Sequence, residues 1–144
     1  MGYSFENHRI VGGIGADDPF WRSLEDGEFR LQRCDGCGAW TCPAHWRCGR
    51  CGSWDFQWVA LEPVGKIFSW TRSWYAFERV AERAVDVPYV TVLAEIPQAD
   101  GARILGVLDG GDQDLRIGAP VRGIITPPSA KSKHYASIRW RIER

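Results

Sequence analysis

The chain has no surplus of charge. Eighteen lysines and arginines balance eighteen aspartates and glutamates, so the formal net charge is zero, and no overall field draws the protein toward nucleic acid or anionic lipid. Any charged function is therefore local. There is also no long apolar run: nothing approaches the ~18 residues of a membrane span. The polar opening MGYSFENHRI lacks the basic start and apolar middle of a signal peptide, which leads to the expectation of a cytoplasmic protein. Histidine is scarce. His8, His45 and His134 stand alone, with no grouping of serine, histidine and acid around them, so each reads as an ordinary surface residue rather than a catalytic base. Cysteine is missing before Cys34 and after Cys51, and in a reducing compartment cysteines gathered this way point to metal or redox chemistry rather than a disulfide framework.

What is present supports a folded protein. At 144 residues with 44% hydrophobic and 25% charged positions, the composition is globular. A chain of this size buries about two-thirds of its unfolded surface. The stretch CDGCGAWTCPAHWRCGRCG, residues 34–52, holds all five cysteines. Cys34 and Cys37, followed by Gly38, and Cys48 and Cys51, followed by Gly52, form two Cys-x-x-Cys-Gly phrases. A tight turn puts both sulfurs of each phrase on one side of the backbone, and the glycine accommodates a positive φ. Together the two turns offer four soft ligands to a tetrahedral zinc ion, and Trp40 and Trp46 are candidates to cover it. Four-thiolate iron satisfies the same pattern. Cys42 stands outside both phrases. Pairing it with His45 as a ligand set breaks one of two matching turns, and a thioredoxin-like dithiol leaves the second turn unexplained.

Along the chain, residues 1–16 are polar and glycine-rich and suggest a flexible arm. Asp18 as N-cap, Pro19 in the first turn and Gly27 as terminator predict a short helix within 17–27. Its Phe20, Trp21 and Leu24 share an apolar flank, which either packs on the neighbouring segment or docks a partner. Residues 28–58 form the expected ribbon, with EFRLQR and SWDFQWV as strands. Residues 59–144 read as strands at VGKIFSWTRSW, YVTVLAEI, RILGVL, PVRGII and YASIRWRI, broken by glycines. In the last strand Ala136, Ile138, Trp140 and Ile142 alternate with Tyr135, Ser137, Arg139 and Arg141. A mainly β chain with five such strands suits an OB-type barrel, with an open sandwich as the alternative. Phe77, Val80, Ala81, Ala84 and Val85 recur at helical spacing and predict a helical insertion ending before Pro88.

The order of these parts resembles a known family. The helix with Phe20-Trp21, the run from Gly27 to Cys34, the four-cysteine ribbon, GKIFSWT at 65–71, Pro88-Tyr-Val and Ile117-Gly-Ala-Pro-Val121 are together similar to the domain of unknown function 35 family, over roughly residues 18–127. One departure is the ribbon interior, Cys42-Pro43-Ala-His45-Trp46, where the family usually carries a proline pair and an arginine. The resemblance implies a rubredoxin-like zinc ribbon joined to an acyl-CoA-associated OB-fold, with Cys34, Cys37, Cys48 and Cys51 holding structural zinc. It further implies a non-catalytic subunit accompanying a thiolase-like enzyme, or a hot-dog-fold hydratase, in complexes that process CoA thioesters. Thiolysis in aromatic-compound degradation and retro-aldol cleavage of steroid side chains are such settings. On that basis Phe20, Trp21 and Leu24 are candidates for partner binding. Thr71, Arg72, Trp74, Tyr75 and Phe77 are candidates for the surface near a CoA thioester shared with the partner. Lys131, Lys133, Arg139 and Arg141 either meet CoA phosphates or form an ordinary solvated face. The competing class is a single-strand nucleic-acid-binding ribbon and barrel, in which SWTRSWYAF stacks bases; the zero net charge speaks against it.

Overall fold

The computed structural model describes residues 15–76 and 81–144. Most of the expected arm and residues 77–80, Phe77 among them, lie outside the described residues. The chain is mainly β. The first element, α1, runs from Asp18 to Glu25. Its N-cap is Asp17, one residue earlier than the sequence predicts, and the Asp17 carboxylate accepts a hydrogen bond from Trp21 Nε1 at 2.9 Å. The helix ends where Gly27 turns to φ 75°, which brings the Glu28 amide back to the Ser23 carbonyl at 2.8 Å. Among the described residues no helix is long and apolar enough to cross a membrane.

A three-stranded antiparallel sheet follows, ordered β2-β1-β3, from β1 (Arg30–Cys34), β2 (Trp40–Thr41) and β3 (Phe56–Ala60). The remaining strands are β4 (Val64–Ser73), β5 (Tyr89–Ile96), β6 (Ala102–Leu108), β7 (Pro120–Thr126) and β8 (Ser137–Ile142). They close into a barrel in the order β4-β5-β6-β8-β7, the OB-type closure that the sequence predicts. All pairs are antiparallel except β6 with β8. Alternation drives the closure: Val90, Val92, Ala94 and Ile96 of β5 face inward between Tyr89, Thr91, Leu93 and Glu95. β4 serves two neighbours, pairing with β7 at its start and with β5 thereafter, and a register shift between Ile67 and Ser69 bends it. Gly65 sits at that corner. A Cβ there would lie 2.3 Å from the Glu95 carbonyl oxygen, so the two strands approach this closely only around a glycine.

The helix and β1 belong to the same core as the barrel. Leu24, Phe29 and Leu31 are buried in one cluster with Ile67, Val92, Ile104, Val121 and Trp140. Phe29 meets the Trp140 ring edge-on at 6.3 Å. Leu24 is 1% exposed, so the apolar flank of α1 is partly spent on the chain itself. The helical insertion is not what the described part shows: residues 81–83 make a single 3-10 turn, and Val85, expected on a packed face, is 83% exposed. A short turn ahead of Pro88 satisfies the backbone locally without an apolar surface to pack on.

Candidate metal centre and ligand-facing surfaces

The four predicted sulfurs converge. Cys34, Cys37, Cys48 and Cys51 place their Sγ atoms within 4.8 Å of one another. Cys34 to Cys51 is 3.5 Å and Cys37 to Cys48 is 3.7 Å. A tetrahedron of ~2.3 Å metal–sulfur bonds has edges of about 3.8 Å, so these residues fit a four-thiolate metal ion. Cys34 and Cys48 are buried, Cys37 and Cys51 exposed.

Each pair of ligands is set by the same local machinery. The Gly38 amide donates to the Cys34 carbonyl and the Gly52 amide to the Cys48 carbonyl, both at 2.9 Å. Cys34 and Cys48 in turn donate to the carbonyls of Ala39 and Ser53, both at 2.8 Å. The glycines take φ 75° and 80°. The residue before each turn is an arginine whose Nε reaches the glycine carbonyl, Arg33 to Gly38 at 3.1 Å and Arg47 to Gly52 at 2.9 Å. The same guanidiniums lie over Trp40 and Trp54, 5.4 and 5.6 Å from the ring centroids. The working unit is thus Arg-Cys-x-x-Cys-Gly-x-Trp, at 33–40 and again at 47–54. The ring stacked on the second arginine is Trp54, which the sequence reading did not single out.

Within the second turn the two sulfurs are pushed in opposite directions. The backbone amides of Cys51 and Arg50 hold the Cys48 thiol down to about 6. For Cys51 the Ser53 amide works in the same direction, but the neighbouring sulfurs, led by Cys34, and desolvation outweigh it and push that thiol up to about 11. A dication removes this conflict by accepting all four as thiolates.

Gln32, which sequence reasoning passed over, locks the loop between the turns. It is 4% exposed. Its Nε2 donates to the His45 carbonyl at 2.8 Å, and its Oε1 accepts from the His45 amide at 2.9 Å and from the Thr41 hydroxyl. His45 therefore enters by its backbone, with its residue on the surface. Gln32→Leu keeps the volume and removes every one of these bonds, leaving polar groups unmade at a cost of about 1–3 kcal/mol. Urea melts should show that loss with no change in metal content.

Cys42 is no ligand. It donates to the Arg103 carbonyl on β6 at 3.2 Å, tying the ribbon loop to the barrel, and burial pushes its thiol up to about 11 from the ordinary 9.0. A thiol shifted this way contributes fully below pH 9.0 and loses its contribution as pH climbs toward 11. Cys42→Ala should therefore cost about 1 kcal/mol at neutral pH. In melts at rising pH the gap between wild type and variant should close through that window.

The other candidate residues disperse. Thr71, Arg72, Trp74 and Tyr75 are exposed at the end of β4, Trp74 at 64% and Tyr75 at 89%. Arg72 pairs with Asp112 at 2.6 Å. The cationic C-terminal face is largely paired as well: Lys131 with Asp86 at 2.5 Å, and Arg141 with Asp109 at 2.8 Å. Phe20 and Trp21 are half-buried and form one wall of a groove of about 460 Å³ whose other side includes Leu105, Val107 and Ile138. A second hollow of about 360 Å³, more polar, lies beside it, and Arg83, Val107 and Arg139 line both.

Residues 58–125 match the family of the ChsH2 C-terminal OB-fold domain. The "Probable enoyl-CoA hydratase alpha subunit" of Thermomonospora curvata is 29% identical over 110 residues, 75% of this chain, and the chain spans 33% of that relative's length. Among solved structures, the Ltp2-ChsH2(DUF35) aldolase superposes with a TM-score of 0.75 at 22% identity, covering 93% of this chain and 98% of the other. A DUF35-family protein of unknown function from Sulfolobus solfataricus superposes at 0.62 with 18% identity, covering 96% and 92%. Residues 58–125 thus match the ChsH2 C-terminal OB-fold family, and the chain as a whole shares the fold of these two solved structures.

Proposed function

We propose that this chain is a zinc-stiffened, non-catalytic subunit of a heteromeric complex acting on CoA thioesters, seated beside a thiolase-like protein that makes or breaks a carbon–carbon bond. One observation carries the reading: helix, ribbon and barrel recur together, nearly end to end, in a solved aldolase whose name includes ChsH2(DUF35). Four protein thiolates leave a zinc ion no open position, so it would hold the two turns in register and activate no water. Cys34, Cys37, Cys48 and Cys51 are the residues that would bind it. The exposed end of β4, Thr71, Arg72, Trp74 and Tyr75, is assigned to the partner and to the acyl end of the shared thioester. Large exposed aromatics at one edge suit a surface completed by another protein. Of the helix residues, Leu24 faces the chain's own core, which leaves Phe20 and Trp21 as the part of α1 open to contact. The pairing of Arg72, Lys131 and Arg141 with carboxylates supports a protein partner over a nucleic-acid strand, which needs unpaired cations along a groove.

A second reading, a hot-dog-fold hydratase as the partner, is favoured by the similarity to the hydratase alpha subunit. Co-expression with a thiolase-like protein and, separately, with a hot-dog-fold protein, followed by native mass spectrometry and turnover of a CoA thioester, distinguishes the two. The expected result is a stoichiometric complex with the thiolase-like protein, active only when assembled. Turnover by this chain alone would overturn the proposal.

A further inference from the structure

The outer face of the second and third strands of an OB barrel, between its first and last loops, is where such folds take ligands. In this chain those strands are β5 and β6, and the face is rebuilt into something unsuited to a nucleic-acid strand. Thr91, Leu105 and Val107 supply its floor, and Phe20 and Trp21 of α1 stand along one side. The groove is chiefly apolar and, at about 460 Å³, falls in the usual range for small-molecule sites. At one end it passes Arg83 and Arg139 into the second, more polar hollow.

These two arginines are the unusual feature. Arg83 donates its Nε to the Lys131 carbonyl at 3.1 Å, and no carboxylate among the described residues pairs with it. Arg139 donates to the Leu108 carbonyl at 3.1 Å, while its buried Nε has no acceptor among the described residues and stays 3.7 Å from Asp109. The carboxylates of the second hollow are already matched, Asp86 by Lys131 and Asp112 by Arg72. An apolar trough therefore ends at two guanidiniums: among the described residues Arg83 has no carboxylate partner, and Arg139, though 3.7 Å from Asp109, keeps a buried Nε without an acceptor. Guanidiniums in that state favour an oxyanion, which accepts charge-assisted hydrogen bonds from both.

We infer that the paired hollows bind an apolar-tailed organic anion, with its hydrocarbon tail between α1 and β6 and its carboxylate or phosphate at Arg83 and Arg139. This goes beyond the subunit reading, because the site lies on this chain and needs no partner. If binding fails, the subunit reading stands; if the complex fails to form, this site is untouched.

The test uses the full chain with three probes of one tail length at sub-micellar concentration: decanoate, decyl phosphate and decyltrimethylammonium. Calorimetry and saturation-transfer NMR should show the anions binding about tenfold tighter than the cation, as expected for a site with two charged donors. Whichever anion binds tighter identifies the headgroup as carboxylate or phosphate. Arg83→Gln should weaken the anions severalfold and leave the cation unchanged. Leu105→Glu, at a position 64% exposed and so tolerant of the change, should also weaken the anions, with an unaltered melt showing that the fold is intact. Absence of binding by either anion, equal binding by the cationic probe, or indifference to both substitutions would refute the inference.

Discussion

If the four sulfurs hold a metal as proposed, replacing Cys48 with serine, or treating the wild type with a strong chelator, is expected to remove it and lower the melting temperature by more than about 10 °C. The reason is a mismatch of scale. A structural four-thiolate site contributes on the order of 10 kcal/mol of binding free energy to folding, whereas the net stability of a whole domain is about 5–15 kcal/mol. Residues 35–55 offer little to replace it: of that stretch only Cys48 is buried. Damage should start there, with loss of the stacked Trp40 and Trp54 environments and a change in tryptophan emission. It should not stop there, because β1 carries both Cys34 and the core residue Leu31, and Phe29 just ahead of it packs against Trp140. Elemental analysis alongside thermal melts checks the expectation. A serine variant that has lost its metal but melts with the wild type would show that the cluster is not what holds the ribbon.

How much of this was readable from residues alone depended on how far apart the cooperating groups lie. The four-cysteine cluster was legible because each pair and its glycine sit within five residues, and local turn geometry does the rest. The barrel was legible because alternation in β5 and β8 is a local consequence of strand geometry. The arginine and tryptophan that complete each turn were visible in the same window but carry no spacing rule of their own, and only the Arg–Gly and Arg–Trp contacts reveal them. Cys42 could not be read at all, since its acceptor is the Arg103 carbonyl on a distant strand. Gln32 looked like one polar residue in a strand; its burial follows from the His45 loop folding over it. The helix flank was ambiguous for a related reason: Leu24 turns inward to the common core while Phe20 and Trp21 stay at a groove, a split that depends on where the barrel lies rather than on helical periodicity.

The contact between Trp140 and Gly106 yields the second large effect. Trp140 is fully buried, and truncation to alanine should cost about 3–5 kcal/mol by opening a cavity in a close-packed barrel. Gly106 faces it from β6, where an added Cβ would lie 2.7 Å from Trp140 Cδ1, 2.8 Å from Nε1 and 2.7 Å from the Ile138 carbonyl oxygen. Gly106→Ala should therefore be destabilising by overpacking, by about 1–3 kcal/mol. The two positions should also couple. Trp140→Phe removes the five-membered edge that the new methyl would strike, and it forfeits no hydrogen bond, since Nε1 has no partner among the described residues. On that background Gly106→Ala should cost measurably less than in the wild type, yet more than nothing, because the Ile138 carbonyl is still in the way. A double-mutant cycle from denaturant melts reads the coupling directly. Strict additivity would mean that the indole edge does not require the glycine. Complete rescue would mean that the β8 backbone gives way more easily than its place in a closed barrel allows.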